Sequence, residues 1–312
     1  MAMTVEDLTP LLDCPEMEPD VPVAGMFGTQ IVKARRGADG QEYAQVEVFD
    51  YTGMTRVFVR KNDWGSQLRR TPTVCTMAFT FVSGRHGELV PLGVPARGLQ
   101  VDERTPFELL PVHACPDPAD LERLTVLADS LTRAAFRQFL EAVFSEQRFT
   151  WAFLTLPAIQ RCHHACRGGL LRHSIKVAEG VQGMLQSFEA NPLLGEAAIL
   201  VGLLHDVGKV LLALPEGHRV PCGQRDHANL IQYALQESLL LLRAEDRDAY
   251  DALWRVLYGY QMGEHYSVPL AAVVQAADRT SAQLDAVKTA SSYSDAYWKP
   301  GCGGRPIWDP PG

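Results

Sequence analysis

Leu203-Leu-His-Asp-Val-Gly-Lys209 closes the most apolar stretch of the chain, Ala197–Leu204. A helix that is apolar all round has to be buried on every side, so this segment carries His205 and Asp206 into the interior. Burying a carboxylate costs several kcal/mol (roughly, for an ion left without a partner) unless it is paired or bound to a cation. A divalent metal is the direct compensation. An imidazole nitrogen beside a carboxylate oxygen suits Mn, Fe, Zn or Ni. Gly208 permits a tight exit from the helix, and Lys209 then stands within reach of a metal-bound phosphate as a point charge. The alternative is that Asp206 caps the next turn while His205 packs in the core.

Two more residues point at the same interior. Gly169–Phe188 reads as a helix on which His173 shares an apolar face with Val177, Val181, Met184 and Phe188. Asp278 ends another buried-type run, Leu270-Ala-Ala-Val-Val-Gln-Ala-Ala277, with Arg279 beside it as an alternative partner. A lone histidine on an apolar face is more often a core residue. Here a second imidazole and two carboxylates converge, and ligation is the stronger reading. From 169 onward the periodicity predicts helices over Gly169–Phe188, Leu193–Leu212, Asp226–Arg243, Glu245–Met262 and Pro269–Ala290. Upstream, Asp117-Pro118 opens a helix as N-cap and first helical residue. Leu121, Leu124, Leu127 and Leu131 keep its spacing, and Ala134–Phe149 and Pro157–Cys166 continue the pattern. The Pro/Gly-rich tail, 291–312, reads as an irregular or disordered extension.

The first hundred residues follow another period. After an acidic segment, 1–20, with six acids and no Lys or Arg, residues 21–102 read as five strands: Val21–Lys33, Glu42–Phe49, Thr55–Arg60, Thr73–Val82 and Glu88–Val101. Five short antiparallel strands fit a small barrel of the OB type, with an SH3-like barrel or a piece of sandwich as alternatives. Residues 103–116 read as a linker, and 117–290 as an all-α domain, making the chain α+β and mainly α. Net charge is −8, yet 21–102 hold ten basic against seven acidic residues, a weak hint of a polyanion partner. Tyr43, Phe49, Tyr51, Phe58 and Trp64, with Arg56, Arg60 and Lys61, are the residues on which single-stranded bases would stack and pair, although most aromatics of a small barrel are core. Seven scattered cysteines without a C-x-x-C pair read as reduced thiols; Cys162 and Cys166 flank two histidines, and small buried helix residues are the stronger reading there than zinc. No basic-then-apolar leader and no membrane-length apolar run is seen, so a cytoplasmic protein without membrane contact is expected.

The order His, His-Asp, Asp on consecutive helices resembles the HD superfamily of metal-dependent phosphohydrolases. The string Leu156-Pro-Ala-Ile-Gln-Arg-Cys-His-His-Ala-Cys-Arg-Gly-Gly-Leu-Leu-Arg-His-Ser174 resembles one branch of it. That branch holds the YhaM-type 3′-to-5′ exoribonucleases, built as an OB-fold followed by an HD domain, and the MobH-type relaxases with their TraI domains. The likeness covers roughly Ala114–Gln283 and, more loosely, the barrel. It implies His173, His205, Asp206 and Asp278 as ligands of a divalent metal, Mn first among Fe, Ni, Zn and Mg. It also implies Asp206 and Lys209 in catalysis, with metal-activated water attacking phosphorus. His164, His227 and His265 would serve a second metal or the substrate phosphate, and Arg167, like the barrel's basic residues, would meet nucleic acid. One departure stands out: where the exonuclease branch carries a tandem His-His before the last helix, this chain has Tyr258-Gly-Tyr-Gln-Met-Gly-Glu-His265. The expectation is a phosphodiesterase acting on single-stranded RNA or DNA. The alternatives are a small-nucleotide phosphohydrolase whose barrel supports a homo-oligomer or regulation, a relaxase-like DNA-processing domain, and a degenerate nucleic-acid-binding protein.

Overall fold

The structure, a computed structural model, describes residues 3–8, 23–37, 39–63, 68–83, 89–96, 104–158, 164–213, 227–262, 268–291, 298–300 and 306–308. The chain divides into two compact units, residues 1–114 with 144–151, and residues 115–143 with 152–312.

The first unit is a closed five-stranded barrel: β1 (Val23–Arg36), β2 (Glu42–Phe49), β3 (Met54–Arg60), β4 (Thr73–Ser83) and β5 (Leu89–Pro95), in the order β1-β2-β3-β5-β4. β1 pairs antiparallel with both β2 and β4, β4 pairs antiparallel with β5, and β3 meets β5 in parallel. Closure removes the exposed edges that would otherwise invite pairing with another chain. The alternation read in β2 is the pleat of a half-buried strand: Ala44, Val46 and Val48 are fully buried, and Phe27, Val57, Val59, Met77 and Phe79 meet them inside.

Two sequence expectations are corrected in this unit. The acidic segment is not wholly apart, since residues 5–8 form a helical turn whose Val5 and Leu8 join the barrel core. The stretch read as a linker supplies a buried clasp: Arg104 Nη1 donates to Asp50 Oδ2 at 2.9 Å and to the carbonyl of Met26, while its Nη2 donates to the carbonyl of Glu108. Asp50 Oδ2 also accepts the amide of Val5. Both side chains of this ion pair are buried. Removing one partner of a buried pair strands the other charge, so Arg104→Met should destabilise the protein by about 3–5 kcal/mol, read as a fall in the urea midpoint. An unchanged midpoint would contradict the clasp.

The second unit is helical: α1 (Pro118–Ser130), α2 (Ala134–Ser145), α3 (Gln147–Thr155), α4 (Gly169–Leu185), α5 (Pro192–Leu204), α6 (Gly208–Ala213), α7 (His227–Ala234), α8 (Gln236–Glu245), α9 (Arg247–Met262) and α10 (Pro269–Ser291), with α2 and α3 running on into the residues shared with the first unit. Asp117 caps α1 as expected, accepting from the amide of Ala119. Ala134–Phe149 is parted at Glu146, between α2 and α3, and four further helix expectations are corrected. Leu193–Leu212 is broken at residues 205–207, where the chain turns between α5 and α6. Asp226–Arg243 is two helices parted at Leu235. Pro157–Cys166 is not helical where it is described, because α3 ends at Thr155 and the proline cannot continue it. Cys166 accordingly is exposed instead of buried on a helix, and Cys162 lies outside the described residues. The fourth concerns Phe188, which lies past the end of α4 and is exposed. The tail, expected to be irregular, contains two short paired strands, β6 (Trp298–Pro300) and β7 (Pro306–Trp308), with Trp298 opposite Trp308. Among the described residues no helix is long and apolar enough to cross a membrane.

Candidate metal centre

Three helices supply the site. α5 is buried along nearly its whole length, so its C-terminal end places His205 and, in the turn beyond, Asp206 at 1 % and 4 % exposure. α4 brings His173, also 1 % exposed. The two helices cross closely at Gly202, where an added Cβ would stand 3.2 Å from the Cα of Ala178. α10 brings Asp278, whose side chain, 28 % exposed, is less buried than those of the two histidines.

His173, His205 and Asp278 each turn one ligand atom into a space no wider than 4.8 Å. The two Nε2 atoms are 3.2 Å apart. Asp278 Oδ1 stands 3.1 Å from the His173 nitrogen and 3.6 Å from that of His205. Asp206 Oδ2 lies 3.7 Å and 3.5 Å from the same nitrogens. His205 Nδ1 lies 2.8 Å from the carbonyl of Gly202, which can only accept, so this nitrogen carries the proton and a neutral ring turns a lone pair inward at Nε2. Burial pushes the His205 imidazole below its ordinary pKa, outweighing the two carboxylates, and so favours that neutral form. Asp278 is pushed up by burial, but its hydrogen bond with His173 and the facing imidazoles prevail, and its pKa falls below the ordinary value. Nitrogen lone pairs and anionic oxygens that converge on one point need a proton or a cation among them. Ligand atoms bound at about 2.1 Å stand roughly 3.0–3.4 Å apart around one ion, close to the spacings seen here. The donor set therefore fits a divalent metal, and its mixed nitrogen and oxygen character does not fix which one.

Around this cluster is a second set of residues that the sequence reading did not single out. Ser281 Oγ meets His173 Nδ1 at 3.1 Å and His164 Nε2 at 3.5 Å. The Tyr260 hydroxyl donates to Asp278 Oδ2 at 3.0 Å, and its ring meets that of His205 edge-on. Asp278, Ser281 and Asp285 are spaced three and four apart on α10, a polar stripe on one helix face that the sequence did carry as a signal. Tyr260 had no such signal. Burial, with Asp278 and Asp206 adding to it, raises the Tyr260 phenol well above its ordinary value.

Lys209 pairs with Asp206 Oδ2, at the edge of the cluster. Arg279, the alternative partner of Asp278, instead donates to the carbonyl of Gln275 and is exposed. His164 stands behind His173, ring centroids 5.3 Å apart, and reaches it through Ser281. Its backbone is left-handed at φ 48°, held by Asp285, which accepts the His164 amide. Gly169 makes that loop feasible, since a Cβ there would come within 2.0 Å of the His164 carbonyl oxygen. Gly169→Ala should cost about 3 kcal/mol and displace His164, read as a lower melting temperature with altered His164 NMR shifts; a stable variant with unmoved shifts would refute this account. Arg167 is exposed. His227 begins α7, its side chain outside what is described, and His265 and Trp64 lie outside the described residues.

On the barrel, Arg56 pairs with Glu47 across β2 and β3, and Lys61 pairs with Glu42. Arg60 is exposed near Tyr43, whose hydroxyl donates to Asp39. Phe49 is fully buried against His113 and Trp151 and offers no face to a base, whereas Tyr51 is half exposed and Phe58 lies under the Arg35 guanidinium. No protein-family model, curated protein or solved structure matches this chain.

Proposed function

We propose that this chain is a metal-dependent phosphohydrolase of the HD type, a phosphodiesterase acting on single-stranded nucleic acid from its 3′ end. The observation that carries the reading is the convergence of His173, His205 and Asp278 within 4.8 Å of one another, with Asp206 beside the two imidazole nitrogens and Lys209 paired with it. A divalent ion held there would supply Lewis acidity toward a phosphoryl oxygen and lower the pKa of a water. The chain's own residues do the rest. The His205–Gly202 and His173–Ser281 contacts hold both rings with Nε2 inward. Tyr260 keeps Asp278 turned toward the imidazoles. The Lys209 ammonium has three donors, so it can remain on Asp206 and still give one to a substrate phosphate.

The barrel supports the polymer reading by its strand order, which fits an OB-fold, a barrel that binds oligonucleotides across its second and third strands. The pairing of Arg56 with Glu47 across the second and third strands, and of Lys61 with Glu42 at their end, favours a second reading, a small-nucleotide phosphohydrolase. Degradation of 5′-labelled single-stranded RNA, and the matching DNA, by the Mn²⁺-loaded protein tests the two. A ladder shortening from the 3′ end and lost with EDTA supports the exonuclease. Intact oligonucleotides alongside turnover of a nucleotide panel would replace it with the second reading, and no turnover of either would end both.

A further inference from the structure

We infer that the cluster holds one divalent ion and not two, because Tyr260 occupies the carboxylate oxygen that a second ion would need. The inference rests on the metal-centre reading proposed above. In a two-metal site the ions stand about 3.5–4 Å apart, and a bridging carboxylate gives one oxygen to each. Asp278 has already divided its oxygens differently. Oδ1 faces the two imidazole nitrogens, and Oδ2 accepts the Tyr260 hydroxyl at 3.0 Å. The proton of that bond lies where a second cation would have to approach.

Tyr260 is not free to swing aside. Its ring lies edge-on to His205, with centroids 5.6 Å apart. Its carbonyl accepts Gln275 Nε2 from α10, one turn before Asp278. The next residue, Gln261, is held by the carbonyl of Ala228 and by Gln232. Asp206 is arranged differently: it turns a single oxygen, Oδ2, to both imidazoles, and the Lys209 ammonium pairs with that same oxygen. A hydroxyl and an ammonium thus supply the positive ends that a second ion would supply elsewhere. Among the described residues His164 is the next imidazole, and it stands behind His173 with Nδ1 turned toward Asp285 and Nε2 toward Ser281. Tyr260 is in this account a positioning residue: it acts on the ion through Asp278.

The test is Mn²⁺ stoichiometry and affinity of the full chain after chelator stripping, by calorimetry and elemental analysis, with EPR of the loaded protein. One Mn²⁺ per chain with an isolated-ion EPR spectrum is expected. Tyr260→Phe, which keeps the ring and removes the hydroxyl, should hold its ion about 10- to 100-fold more weakly. Two ions per chain, or a spin-coupled spectrum, would overturn the single-ion site while leaving the metal-centre reading intact. Unchanged affinity in Tyr260→Phe would overturn the role of the hydroxyl. No bound Mn²⁺ in the unsubstituted chain would overturn the metal-centre reading itself, and this inference with it.

Discussion

Under the proposed function, Asp206→Asn is expected to lower metal-dependent phosphodiester cleavage by about 10³-fold, the rate equivalent of about 4 kcal/mol. The substitution keeps the volume of the side chain and removes one negative charge from a place where it is 4 % exposed and faces two imidazole nitrogens and an ammonium. An amide offers a neutral oxygen to the cation and leaves Lys209 without its counter-charge. Asp206→Ala should be equally inactive and less stable, because it also opens a void beside a buried cluster. Lys209→Gln separates the two roles of the pair. It leaves the donor atoms of Asp206 in place, so bound Mn²⁺ should persist while KM for substrate rises. Single-turnover rates at saturating Mn²⁺, with bound metal measured in parallel, decide the matter. An Asp206→Asn protein that cleaves at the unsubstituted rate would remove Asp206 from the chemistry.

How far the sequence predicts this site depends on the kind of signal each residue leaves. His205 and Asp206 are legible because an all-apolar helix has one place to go, and polar residues at its end must follow it into the interior. His173 and Asp278 are legible by the same logic, and the structure brings them to His205. The helix break at residues 205–207 was hidden because Gly208-Lys-Val-Leu-Leu continues the apolar pattern after the turn, so periodicity alone sees one helix. Tyr260 was hidden for a different reason. Its neighbours Tyr258 and Met262 are partly exposed, and nothing in Tyr-Gly-Tyr-Gln-Met says which ring faces the core; only the crossing of α9 with α10 decides it. The barrel strands were legible from alternation, most sharply in β2. What alternation does not show is that Arg56 meets Glu47 across the ladder and Lys61 meets Glu42 just beyond its end, because register is a property of the pairing and not of either strand.

Metal occupancy should raise the melting temperature of the protein by about 10 °C, the second large effect. An ion that binds only the folded state stabilises it by about 4 kcal/mol at a thousandfold excess over its dissociation constant, and a helical unit of this size melts about 2–4 °C higher per kcal/mol. The physical source is the cluster itself, whose nitrogen and carboxylate donors are brought together only in the folded chain, so that an ion bound by them binds the folded state alone. The pH dependence of the chelated protein follows from the same residues. Burial lowers the His205 pKa below its ordinary value of 6.5, so in the folded state the ring stays neutral where the unfolded chain has already taken a proton. The unfolded state then binds more protons, and stability falls as pH drops below about 6.5, by up to about 1.4 kcal/mol per pH unit for one group. Asp278, whose pKa lies below 3.8 in the folded chain, adds stability that is present above that value and is lost only at lower pH. Of these two groups, only His205 contributes to the slope between pH 7 and 5. Because the folded His205 remains unprotonated over part of that window, the gain from Mn²⁺ should persist to a lower pH than free imidazole ligands would allow. Thermal melts with Mn²⁺ and with EDTA across pH 5–8 give both quantities at once. A melting temperature indifferent to Mn²⁺ throughout that range would mean that the converging donors are held by protons alone.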